Sequence, residues 1–152
     1  MQPTYQHPLH ILLADDDKDD RFFFKKALED FDIKHVLQTV PNGEQLMDYL
    51  TGNIKHLPDI LFLDINMPRK NGLECLVEIK SNNALKKMPV IIYTTSLLNE
   101  VVDELYKLGA HYYLHKCGFA ELPTRIESVL NLLAQNPGQP SRDEFVLNLL
   151  EL

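Results

Sequence analysis

Short apolar runs alternate along this chain with segments whose apolar residues recur at helical spacing. The runs at 10–14, 35–40, 60–64, 90–94 and 112–115 are brief, and several are rich in β-branched or aromatic residues. Such residues suit a buried, pleated surface, and the runs predict five strands. Between them Phe23, Phe24, Ala27, Leu28 and Phe31 mark one helix face, Leu73, Leu76 and Val77 a second, and Leu98, Val101, Val102, Leu105 and Leu108 a third. A further helix over 122–133 is predicted to bury Ile126, Val129, Leu130 and Leu133, and the Asn42-Gly43 pair opens a shorter helix ending near Leu50. The order is five βα units, with no internal repeat. Strands that alternate with helices must form a parallel sheet covered on both faces, because right-handed crossovers lie over the sheet. The expected fold is thus α/β, a doubly wound five-stranded parallel sheet.

In such a sheet ligands bind beyond the carboxyl ends of the strands, at the switch point in strand order. Polar residues gather at that edge. Asp15 and Asp16 follow the first strand, Asp64 ends the third, Thr94 ends the fourth and Lys116 follows the fifth. Three carboxylates at one edge repel one another unless a cation neutralises them, and an oxygen-only donor set suits magnesium, with manganese as the alternative. Magnesium retains waters and commonly shares its shell with phosphate oxygens, which makes phosphoryl chemistry the leading reading. A Lys ammonium and a hydroxyl then supply the remaining electrostatic parts.

Composition narrows the classes. At 152 residues with 45% hydrophobic content the chain suits one packed domain. Its net charge of -7 argues against nucleic-acid binding, which rests on neutralising phosphates. Cys75 and Cys117 are far apart without metal-knuckle spacing, in keeping with a reducing cytoplasm. No stretch approaches the ~20 apolar residues of a membrane span, so neither export nor membrane anchoring is expected. His111 and His115 lie four apart, ~13 Å along a strand, too far to share one ion. Asp17, Asp19 and Asp20 read as a solvated helix start beside a half-exposed Phe22.

Four segments carry a resemblance: Ile11-Leu-Leu-Ala-Asp-Asp-Asp17, Leu61-Phe-Leu-Asp-Ile-Asn-Met-Pro-Arg-Lys-Asn-Gly72, Pro89-Val-Ile-Ile-Tyr-Thr94 and Gly109-Ala-His-Tyr-Tyr-Leu-His-Lys116. Together, in this order, they resemble the receiver domains of two-component response regulators, over roughly residues 9–133. The resemblance implies a flavodoxin-like strand order 2-1-3-4-5 and a stand-alone regulator of the chemotaxis or phytochrome-partner type. It makes Asp64 the phosphoacceptor, attacking a phosphohistidine on a sensor histidine kinase or phosphotransfer protein, with output by contact with a downstream protein. It implies that Asp16 and Asp64 bind Mg²⁺ directly, Asp15 through water and Asn66 through its backbone carbonyl. Lys116 pairs with Asp64 and then with the phosphoryl group, Thr94 is the switch hydroxyl, Tyr113 the aromatic switch, and Pro68 and Gly72 shape the loop after Asp64. Gly72 is expected to take a backbone conformation that other residues resist.

Two positions depart from the pattern. The family usually places a proline after the lysine, joined by a cis bond, where this chain has Cys117. A cis bond costs ~2.5 to 4 kcal/mol before other residues against ~0.5 to 1 before proline, so either the strain is retained or the bond turns trans and the loop shifts, the second being favoured. The residue after Thr94, usually small, is Thr95, which is expected to alter access to the phosphoryl group and its lifetime. Two competing readings are an Asp-nucleophile phosphohydrolase and a phosphorylation-independent interaction domain. Such hydrolases carry a second Asp where this chain has Asn66, and the intact Asp15, Asp16, Asp64, Thr94 and Lys116 oppose the second reading.

The chain divides into a flexible N-terminus, 1–8, the domain proper, 9–133, and a C-terminal extension, 134–152. Two prolines and a glycine over 134–140 read as a linker. Ser141 to Glu144 then reads as a capping box opening an amphipathic helix with Phe145, Val146, Leu149 and Leu150 on one face. So short a helix is marginal alone in water. It must pack either on its own domain or on a second subunit in a homodimer.

Overall fold

A computed structural model describes residues 7–95, 97–116 and 118–147, the side chain of Phe119 excepted. Six parallel strands, β1 (Leu9–Ala14), β2 (His35–Val40), β3 (Ile60–Leu63), β4 (Val90–Thr94), β5 (Tyr112–His115) and β6 (Val146–Leu147), form one sheet. Its order is β2-β1-β3-β4-β5-β6. The helices are α1 (Lys18–Leu28), α2 (Gly43–Gly52), α3 (Gly72–Ser81), α4 (Asn99–Lys107), α5 (Leu122–Gln135) and α6 (Arg142–Phe145). The five expected strands lie in the expected order 2-1-3-4-5; the sixth is an addition at the β5 edge. No helix among the described residues is long and apolar enough to cross a membrane.

The strands alternate their side chains between two apolar layers. Ile11, Leu13, Phe62, Ile91 and Tyr93 face Phe24, Ala27, Leu28, Ile126 and Val129 of α1 and α5. Leu12, Leu61, Leu63 and Ile92 face Leu46, Leu50, Leu76, Ile79, Val102 and Leu105 of α2, α3 and α4. Both faces are covered, so the central strands are buried throughout, as parallel sheets require. Helix periodicity overreaches at three positions: Phe23 is 40% exposed, Val77 45% and Leu98 71%. Leu98 caps α4 rather than lying in it, and Val77 sits outside the Cys75–Leu76–Ile79 stripe.

Three helices start at the carboxyl edge of the sheet with side-chain caps. Asp17 accepts from the backbone N–H of Asp19 and Asp20 at the start of α1, and Asn42 from Gln45 at the start of α2. Asn71 and Glu74 form a reciprocal capping box on α3.

The C-terminal extension departs from the continuous amphipathic helix expected of it. The helix stops after the single turn α6, and Ser141 donates its hydroxyl to Glu144 (3.4 Å) instead of capping the helix N-terminus. Val146 and Leu147 then pair in parallel with Tyr113 and Leu114. The β5 edge offers unpaired backbone groups, and a β-branched Val146 suits extended chain, so strand pairing outcompetes a marginal helix. Leu149 and Leu150 lie outside the described residues. What precedes them packs on its own domain. Phe145 is fully buried against Tyr106, with ring centroids 5.3 Å apart, and Tyr106 donates its hydroxyl to Pro140 O (2.7 Å). Gln139 Nε2 donates to Tyr106 O and Ala110 O, and Arg142 pairs with Asp103 (2.7 Å).

Candidate functional site

Asp64 emerges from β3 with its N–H bonded to Ala14 O (2.9 Å), which fixes it beside the end of β1. It is 4% exposed. Its Oδ1 accepts from the Thr94 hydroxyl at 2.7 Å and from the Asn66 N–H at 3.4 Å, and its Oδ2 lies 3.3 Å from Lys116 Nζ. Thr94 is itself fully buried at the end of β4, so its hydroxyl has one clear destination.

Asp15 is held to Val40 O through its N–H (3.1 Å) and is fully buried. Its Oδ1 accepts from Asp17 N–H at 3.0 Å, while its Oδ2 meets Lys116 Nζ at 2.9 Å without hydrogen-bond alignment. Burial pushes the Asp15 carboxyl up to about 6, against the pull of Lys116. Asp16 is exposed at the pocket mouth and is also raised, by desolvation and then by the charge of Asp64. Carboxylate oxygens of Asp15, Asp16 and Asp64 all lie within 4.8 Å of one another. A buried carboxylate oxygen without a hydrogen bond, in an oxygen-only set that repels itself, fits a hard divalent cation.

Lys116 closes the other side of the pocket. Its N–H donates to Thr94 O (2.8 Å), and its ammonium contacts Asp20 Oδ2 (2.8 Å), Asp15 and Asp64, with the Tyr93 ring centroid 5.9 Å away. Burial alone lowers a lysine, but the Asp20, Asp15 and Asp64 carboxylates outweigh it and hold this ammonium above its ordinary value. Cys117, and with it the bond that follows Lys116, lies outside the described residues.

Tyr113 is buried on β5 and donates its hydroxyl to Thr95 O (2.9 Å), which ties this strand to the loop after Thr94. Asn66 is exposed at the rim, and Pro68 is exposed in the same loop, its carbonyl accepting from Lys70 N–H (2.7 Å). Gly72 corrects an expectation. The described non-glycine residue with positive φ in this loop is Arg69 (67°), whereas Gly72 is needed for close approach, because a Cβ there would stand 2.2 Å from Asp64 O.

Asp15, Asp16, Asp64, Thr94 and Lys116 therefore meet at the carboxyl edge of β1, β3, β4 and β5, while Asn66 and Pro68 lie in the loop at the rim and Tyr113 reaches Thr95 O rather than the pocket. Two contacts were not foreseen. Asp20, read as part of a solvated helix start, pairs with Lys116, and Arg21 Nη1 donates to Asp15 O (2.8 Å). The available signal was topological: α1 begins at the pocket, so one side of its first turn must face inward. Asp17 and Asp19 do sit exposed, Phe22 is 60% exposed, and His111 is buried in packing while His115 is exposed.

Comparison with known proteins agrees with this geometry. The family model described as "Response regulator receiver domain" matches residues 11–127. The chain is 35% identical over 113 residues to the response regulator Rcp1 of Synechocystis, covering 72% of this chain and 77% of Rcp1. Among solved structures, the Mn(2+)-bound form of Rcp1 superposes with a TM-score of 0.73 at 30% identity, covering 88% of this chain and all of that one. The phosphorylated cyanobacterial phytochrome response regulator RcpA gives 0.75 at 29% identity, covering 89% and 100%. With the fold, the pocket and the match in agreement, the chain belongs to the response regulator receiver domain family of two-component signalling.

Proposed function

We propose that this protein accepts a phosphoryl group on Asp64 from a sensor histidine kinase or phosphotransfer protein, in a magnesium-dependent reaction, and signals by a conformational change read by a downstream protein. The observation that carries the reading is the Asp64 carboxylate itself, nearly buried, with one oxygen held by Thr94 and the other beside Lys116. An Asp64 oxygen attacks phosphorus, the O–P bond forms as the N–P bond to the kinase histidine breaks, and the electron pair leaves with the imidazole. Lys116 and Thr94 then face the phosphoryl oxygens and spread their charge. Asp15, Asp16, Asp64 and the Asn66 carbonyl would hold Mg²⁺, or Mn²⁺ in its place, and the cation would neutralise charge on the transferring group. The manganese in the solved form of Rcp1 and the phosphorylation of RcpA support this reading by likeness.

Conformational output would pass through Thr94 and Tyr113. A Thr94 hydroxyl drawn from Asp64 to a phosphoryl oxygen pulls on the β4 end, and the Tyr113 hydroxyl bond to Thr95 couples that movement to β5. The net charge of -7 favours a protein rather than a nucleic-acid target, and the receiver fold favours the cytoplasm as its compartment.

Incubation with Mg²⁺ and acetyl phosphate tests the reading. Wild-type protein should form an acid-stable, base-labile adduct that Asp64→Asn does not, and Asp16→Ala should weaken Mg²⁺ binding. Absence of any adduct on wild type sinks the phosphoacceptor reading, and sustained turnover of a phosphate ester favours a phosphohydrolase instead.

A further inference from the structure

The Lys116 ammonium has three N–H bonds to place. One goes to Asp20 Oδ2 at 2.8 Å and one to Asp64 Oδ2 at 3.3 Å, while Asp15 Oδ2 lies 2.9 Å away yet receives no hydrogen bond. The shorter hydrogen bond therefore runs to a carboxylate outside the pocket's acidic triad. We infer that Asp20 is a positioning residue, a counter-ion on α1 that competes with Asp15 and Asp64 for the Lys116 ammonium and so weakens its hold on the carboxylate oxygens a divalent cation needs. The inference rests on the phosphoacceptor reading and deepens it.

Three observations support the assignment. Lysine reaches its partners through a flexible stem, and although the Lys116 backbone is fixed by Thr94 O, no proline ring follows to restrict the chain, since the next residue is Cys117. Side-chain contacts must then locate the ammonium. Asp20 is itself fixed, because its N–H bonds to the Asp17 cap (3.0 Å) and the Asp17 N–H bonds to Asp15 Oδ1 (3.0 Å). A single short segment thus presents two of the candidate metal ligands, Asp15 and Asp16, and the group that draws on their competitor. Finally, the Lys116 side chain is 15% exposed, so its charge is poorly screened and its choice of partner matters.

Without Asp20, the freed N–H turns to Asp15 Oδ2, already 2.9 Å from the ammonium, or tightens on Asp64, and Mg²⁺ must displace a more firmly held lysine. Calorimetric titration of Mg²⁺ into Asp20→Ala should show affinity reduced about tenfold, equivalent to about 1.4 kcal/mol. Asp20→Glu should restore near wild-type affinity. Asp19→Ala, which removes the same charge from the same helical turn, should leave affinity near wild type. In a Lys116→Ala background, adding Asp20→Ala should change nothing further. If Asp20→Ala fails to fold by circular dichroism, Asp20→Asn takes its place with a smaller loss of the same sign.

Unchanged Mg²⁺ affinity in Asp20→Ala, or an equal loss with Lys116 absent, overturns the inference while the phosphoacceptor reading stands. A wild-type protein that takes up neither Mg²⁺ nor a phosphoryl group from acetyl phosphate overturns both.

Discussion

Two of the buried titratable groups, Asp15 and His111, should make opposite contributions to stability over the same acid range, and variants should separate them. His111 is 5% exposed at the foot of β5, where its Nδ1 accepts from the Val90 N–H (3.3 Å). Protonation would turn that acceptor into a donor facing a donor. Desolvation, helped by Lys80, lowers His111 from 6.5 to about 4. As pH falls through 6.5 the unfolded chain gains a proton that the folded one refuses, so stability is lost progressively between 6.5 and about 4. Asp15 runs the other way. Its burial raises it from 3.8 to about 6, so the folded chain binds the proton first and stability is gained as pH falls from about 6 towards 3.8. At 1.36 kcal/mol per pH unit, each shift amounts to at most about 3 kcal/mol. The assay is urea denaturation with EDTA from pH 7 to 4, each variant read as its difference from wild type. Asp15→Asn should lose stability relative to wild type as pH falls through 6, and His111→Asn should gain it. Differences that stay constant across the range, in both variants, would refute the reasoning.

Other expectations are equally direct. Phe145→Ala removes a fully buried ring from beneath Tyr106 and should cost about 3 to 5 kcal/mol in urea denaturation, a loss that a tail with no part in the core would not produce. Gly72→Ala forces a Cβ against Asp64 O, should cost about 1 to 3 kcal/mol, and, on the proposed function, should slow adduct formation with acetyl phosphate because the Asp64 peptide must move. Asn71→Ala, one residue away, breaks the α3 capping box and should lower stability by about 1 kcal/mol while leaving the phosphorylation rate near wild type.

The sequence shows where chemistry gathers better than it shows how the pocket is tuned, and the reason lies in the range of each interaction. Strand ends are legible because burial on both faces produces unbroken apolar runs, and a polar residue closing such a run, as Asp64 or Thr94 does, is conspicuous. A side chain on the first turn of a helix carries no such mark. Asp17, Asp19 and Asp20 look alike in sequence, yet they are a cap, a solvated acid and the partner of a lysine 96 residues away. Only the rotation of α1 against β5 decides among them, and that rotation is set by the packing of Phe24 and Leu28 on the sheet. The same logic explains the extension. Phe145, Val146, Leu149 and Leu150 satisfy helical periodicity, but a pattern spanning so few residues cannot tell a helix from a turn leading into a strand. The choice falls to an open sheet edge, a property of the assembled domain. It places Val146 opposite Tyr113, the residue that links β5 to the loop after Thr94. The extension therefore lies against the strand that the phosphoryl switch would move, and its packing resists any movement of β5 that it does not share.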